Sequence, residues 1–123
     1  MRIYYAHCMK DYHTKTEQLH VKLLQDMGLT VVNPSDPMYE KKVKNMRDEG
    51  KTSTEIMNYF VEVVKNCDHL AFSTTKDGKV SAGVMKEIET MKKKGGSIIQ
   101  LPDLASLESM SISDTVKHIK GTA

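Results

Sequence analysis

Short β-rich stretches and amphipathic helices follow one another in strict alternation along this chain, and that order constrains its fold more than any single motif. Residues 2–6 (RIYYA) favour a strand. Residues 14–27 place Leu19, Leu23 and Met27 at i, i+4 and i+8, the apolar stripe of a helix, and Gly28 stops it. Residues 29–32 (LTVV) read as a second strand, closed off by Asn33-Pro34-Ser35-Asp36-Pro37. The charged segment 38–49 predicts a short helix or a mobile loop. Ser53 or Thr54 is placed to cap a helix whose buried face carries Ile56, Met57, Phe60, Val63 and Val64. Residues 69–72 (HLAF) predict a third strand. Residues 81–94 predict a helix with Val84, Ile88 and Met91 on one face, and after Gly95-Gly96 residues 97–101 (SIIQL) predict another strand. Two short helical stretches, 104–110 and 113–119, occupy the tail.

Strands separated by helices call for parallel pairing with right-handed crossovers. The expected fold is therefore α/β: a small three-layer sandwich, flavodoxin- or Rossmann-like, with a four- to five-stranded parallel sheet and helices on both faces. At 123 residues the chain fits one domain, residues 1–123, and can bury a core without a metal or disulfide staple. In such sheets ligands bind beyond the carboxyl ends of the strands, where the strand order reverses. That rule directs attention to residues 7–11, to 33–37 and to the loop entering the helix at Ser81.

Composition narrows the classes of partner. Eighteen Lys and Arg against sixteen Asp and Glu leave a formal charge of +2, without the basic excess expected of a nucleic-acid binder. No apolar run approaches the length of a spanning helix and the first residues contain no signal-peptide core, so neither a membrane role nor secretion is expected. Cys8 and Cys67 stand far apart without metal-ligand spacing, which suits reduced thiols in a cytoplasmic protein. His7, His13, His20, His69 and His118 form no HExxH or comparable ligand pair, and no metal or organic cofactor is expected.

Three familiar chemistries fail on the residues. Gly78 and Gly83 have the spacing of a P-loop, but Val84 and Met85 stand where the phosphate-reaching lysine and its hydroxyl neighbour belong. There is no GxGxxG after the first strand and no GxSxG elbow. What remains is the junction Ser81-Ala82-Gly83-Val84-Met85-Lys86-Glu87. Ser81 lies near a helix start, where free N–H groups and the helix dipole favour an anion, and Glu87 lies within the next two turns. Read alone, the same residues describe an ordinary N-cap and a solvated glutamate.

The strand Ile3-Tyr4-Tyr5-Ala6, the Asn66-Cys67-Asp68 turn, Gly83-Val84-Met85-Lys86-Glu87 and Gly95-Gly96-Ser97-Ile98 together resemble the nucleoside 2-deoxyribosyltransferase superfamily, closest to its 2'-deoxynucleoside 5'-monophosphate N-glycosidase branch. The resemblance implies hydrolysis of the N-glycosidic bond of a nucleoside 5'-monophosphate, with release of the free base. Glu87 would be the nucleophile, as in a retaining glycosidase, and Tyr4 would orient it. Ser81 and Gly83 would hold the phosphate, with Lys10 and, from a neighbouring subunit, Ser111 or Ser109. A small-molecule nucleotide and a homodimer or larger homo-oligomer are the partners it implies. One position departs from the family: Phe60 stands where an aspartate handles the leaving base. Asn58 or Asp36 would then take part of that role. His7 replaces a preferred glycine and would narrow the pocket or supply the missing acid. That departure also supports an alternative, a nucleotide-binding module without turnover. A base-exchanging transferase is disfavoured by Ser81, where transferases tend to carry an acidic residue.

Overall fold

The computed structural model describes residues 1–75 and 77–102. The elements alternate as the sequence predicts: β1 (Arg2–Ala6), α1 (Lys15–Asp26), β2 (Thr30–Val32), α2 (Pro37–Asp48), α3 (Ser53–Lys65), β3 (His69–Phe72), α4 (Ala82–Lys94) and β4 (Ser97–Gln100), with one 3-10 turn at Met9–Asp11. The charged segment that left helix and loop open is helical. The predicted tail helices lie outside the described residues.

The sheet has four strands, all parallel, in the order β2-β1-β3-β4. The chain steps from β1 outward to β2, then crosses back to place β3 on β1's other side. The reversal point is therefore between β1 and β3. In register, Tyr4 stands beside Val32 on one side and Leu70 on the other.

Alternation along β1 serves two cores. Ile3 and Tyr5 pack with Leu23 and Leu24 of α1, whereas Tyr4 and Ala6 pack with Val64 of α3 and Val84 and Met91 of α4. Helices thus cover both faces of the sheet, as a two-residue side-chain period on a central strand requires. Removing any of these aliphatic side chains from water stabilises the fold by about 1.5–3 kcal/mol.

The helix starts have identifiable chemistry. Thr14 and Ser81 cap α1 and α4, their hydroxyls accepting from the N–H groups of Glu17 and Val84 at 3.2 and 3.3 Å. The cap of α3 is Thr52 rather than Ser53 or Thr54. Its hydroxyl accepts from the Glu55 N–H at 3.1 Å, and its own N–H donates to the Glu55 carboxylate at 3.2 Å. That reciprocal capping box satisfies two orphan donors at once, which a simple cap one or two residues later would not. Met27, expected on the buried stripe of α1, is half-exposed past the helix end; Leu24 is buried instead. At the other end of α4, Gly95 takes a left-handed conformation at φ +84°. Gly96 lets the chain pass so close to β3 that an added Cβ would lie 2.6 Å from the Asp68 carbonyl oxygen.

Candidate active site

A cleft of about 860 Å³ opens at the carboxyl edge of the sheet. This is the upper part of the range for small-molecule sites. Its floor is Tyr4 and Glu87. The loop after β1 contributes His7, Cys8, Tyr12 and His13; α4 contributes Ser81, Gly83 and Val84; α3 contributes Ser53, Ile56, Met57 and Phe60; and α2 forms an outer wall with Val43, Lys44 and Arg47.

Glu87 is only 7% exposed and Tyr4 1%. The Tyr4 hydroxyl donates to Glu87 Oε2, and the structure records no hydrogen bond to Oε1 among the described residues. Burial raises the Glu87 carboxyl to about 7, against the lowering effect of the Tyr4 bond. Tyr4 is pushed well above the usual phenol range, first by burial and then by the charge of Glu87. Tyr12 is raised by burial first, with Glu87, Glu17 and Glu40 adding to the effect. Both phenols therefore stay neutral donors, and the carboxyl is poised to change charge near neutrality.

Beside this floor lies a second buried carboxylate. Glu17 Oε2 is 2.7 Å from His7 Nε2 and accepts from the Ser35 hydroxyl at 2.8 Å, while Oε1 accepts from the His13 N–H at 3.2 Å. Burial pushes Glu17 up, but the bonds from His7 and Ser35 prevail and its carboxyl sits below the ordinary range. His7 also places Nδ1 3.1 Å from the Tyr5 carbonyl and stacks on the Tyr5 ring at 3.9 Å. Both of its ring nitrogens face acceptors of the protein. It borders the cleft as a filled wall.

The expected site residues separate into two groups. Tyr4, His7, Ser81, Gly83 and Glu87 meet at the cleft, with Gly83 packed near Met57 Sδ. Asn58, Lys10 and Asp36 are exposed and are absent from the cleft lining. Asn58 falls on the outer side of α3, while Phe60, two residues on and about 200° round the helix, turns inward. Asp36 is the N-cap position of α2 but makes no side-chain capping bond; burial first and then Glu17 raise its carboxyl. Ser111 and Ser109 lie outside the described residues. The α2 wall is what sequence reasoning missed. Its signal was Tyr39, Val43 and Met46 at i, i+4 and i+7, a stripe diluted by the surrounding charges.

Among the described residues no group of three His, Cys, Asp or Glu side chains is arranged to hold a metal ion, and no helix is long and apolar enough to cross a membrane. Cys8 and Cys67 are both free thiols.

These features define an α/β protein with a four-stranded parallel sheet, a cleft at the topological reversal and a buried glutamate on its floor. The fold is that of a CMP N-glycosidase from Clostridium botulinum, BcmB, which superposes with a TM-score of 0.57 over 98% of each chain at 16% sequence identity. No family model matches the chain, and no curated protein sequence matches it. The fold is thus shared where sequence similarity has almost vanished.

Proposed function

We propose that the chain hydrolyses the N-glycosidic bond of a nucleoside 5'-monophosphate, with Glu87 as nucleophile. The observation that carries this reading is the Glu87–Tyr4 pair: a nearly inaccessible carboxyl at the floor of a cleft, one oxygen held by a neutral phenol and the other without a hydrogen bond among the described residues. A carboxylate so placed can attack an anomeric carbon. The Oε1 lone pair forms the ester bond to C1' as the C–N pair departs with the base, which takes a proton from water. Water then cleaves the ester, leaving a sugar phosphate and the regenerated carboxylate plus the proton. Desolvation makes the carboxylate a stronger nucleophile than one in water, at the cost of keeping part of it protonated near pH 7. The fold shared with a CMP N-glycosidase supports the same substrate class, and the Ser81 end of α4 offers donors to a phosphate.

The experiment is to incubate the protein with ribo- and deoxyribonucleoside 5'-monophosphates, CMP and dCMP included, and to separate free base by chromatography. Base release by the wild type and its loss in Glu87→Gln support the reading. Equal trace release from both proteins with every nucleotide sinks it. One observation favours a second reading, a nucleotide-binding module without turnover: Phe60 lines the cleft where an acid would assist the leaving base, and Asn58 faces solvent. Under that reading CMP or dCMP raises the melting temperature and is recovered intact.

A further inference from the structure

We propose that Lys44 and Arg47 of α2 join the Ser81 end of α4 in holding the ligand's phosphate, and that the phosphate thereby ties α2 across the cleft. The inference rests on the nucleotide reading above and assigns the specificity-determining residues of that site.

Lys44 and Arg47 are the only lysine and arginine in the cleft lining among the described residues. Lying at i and i+3, they form one ridge, with Cβ atoms about 5–6 Å apart. Neither takes part in an ion pair among the described residues. Two acidic side chains of the same helix border the cleft. Glu40 is engaged by His13, and Asp48 is one residue past Arg47, about 100° round the helix. Among the described residues neither cation is paired with Glu87, whose recorded hydrogen-bond partner is Tyr4. A guanidinium fork and an ammonium point charge on one ridge match the oxygens of a phosphate. Lys10 is outside the lining and offers no comparable pair.

The attachment of α2 gives the pair its second role. Tyr39 is its only buried side chain. Besides that anchor it has the half-buried Val43 and Met46, the Lys42 ammonium 5.6 Å from the centre of the Tyr59 ring and the exposed His13–Glu40 contact. A phosphate gripped by Lys44 and Arg47 while the sugar sits on Glu87 links this lightly held helix to α4. Binding energy from a non-reacting part of the ligand is then available to organise the reacting centre.

The test measures affinities for CMP and dCMP against cytidine and deoxycytidine by titration calorimetry, in Glu87→Gln to prevent turnover. On that background the monophosphates are expected to bind about 30-fold or more tighter than the nucleosides. Adding Lys44→Ala and Arg47→Ala is expected to cut that ratio by about tenfold, the Ser81 end of α4 keeping the remainder, while leaving nucleoside affinity within about twofold. Both positions are exposed, and an unchanged melting temperature confirms folding. A second readout is tryptic cleavage within α2, which the monophosphates but not the nucleosides should slow. If the monophosphate preference survives undiminished in the Lys44/Arg47 variant, the phosphate is held without α2 and the inference falls while the nucleotide reading stands. If neither nucleotide nor nucleoside binds Glu87→Gln or the wild type, the nucleotide reading falls and this inference with it.

Discussion

Glu17 and Glu87 are alike in exposure, 6% and 7%, on helices that cover opposite faces of the same sheet, but Glu87 lies deeper in the protein. Glu17 is surrounded by donors: His7, the Ser35 hydroxyl and the His13 N–H. Among the described residues Glu87 has one, the Tyr4 hydroxyl. Their carboxyls accordingly move in opposite directions, Glu17 down and Glu87 up to about 7. Surface exposure alone says nothing of a carboxylate's role; its depth of burial and the donors spent on it do. A fully satisfied carboxylate organises its neighbours, and a partly satisfied one keeps an oxygen and a proton equilibrium for chemistry.

The strongest way to break this contrast is to exchange each acid for a neutral side chain. In Glu87→Gln, base release should drop by about 10³-fold or more, as loss of a covalent nucleophile does. The folded state should not suffer. At pH 8 the variant should gain up to about 3 kcal/mol over wild type, because a buried charge has gone, and urea titration reads this directly. Glu17→Ala should do the reverse, costing about 3–5 kcal/mol of stability by stranding its donors. If chemical denaturation shows both variants equally destabilised, the two sites are not different in kind.

The pH dependence sharpens the contrast next. Because Glu87 is raised in the folded chain from an ordinary 4.5 to about 7, the folded state binds its proton more tightly than the unfolded one. Its contribution to stability is complete below pH 4.5 and is lost as pH rises through about 7. Glu17, with a lowered carboxyl, contributes stability that is present above its unfolded value and is lost as pH falls through the folded one. If Glu87 is the nucleophile proposed above, kcat/KM should rise with pH and level off above about 7 as it ionises. A profile flat from pH 5 to 8 would remove Glu87 from the rate equation.

The smallest effect belongs to Tyr4→Phe. The Tyr4 bond is the one influence that lowers Glu87, so its loss should move the activity profile to higher pH by roughly one unit, the equivalent of one hydrogen bond to a charged group. A shift to lower pH would mean that the phenol destabilises the carboxylate.

The parallel sheet and the succession of elements were legible because each β-rich stretch is short and punctuated: Gly28 and Gly95 end the helices before β2 and β4, and Pro34 follows β2. The local order of residues at the start of α4 described only an N-cap and a solvated glutamate; the resemblance to a family singled out Ser81 and Glu87, and the fold brings both to the cleft, with Glu87 buried. The α2 wall was not legible. Lys44 and Arg47 are ordinary surface residues until a crossover from β2 to β3 lays their helix along the cleft, which is a fact of tertiary arrangement. The Glu17 network was hidden for the same reason: His7, Glu17 and Ser35 sit in three segments that only the fold unites. Asn58 illustrates the limit from the other side. Counting residues found a polar group near the expected place, but two positions on a helix amount to more than half a turn, and Phe60 faces the cleft instead.

Consecutive tyrosines on β1 carry a genetic consequence. Tyr4 faces Glu87, while Tyr5, on the other face, supplies the ring and the carbonyl that hold His7 against Glu17. Deleting or inserting one codon within residues 3–5 would invert both sides of the strand, turning each tyrosine toward the wrong acid. No single compensating substitution could restore the arrangement. Length variation in descendants of this chain should therefore collect in the α2–α3 junction around Gly50 and leave β1 without gaps.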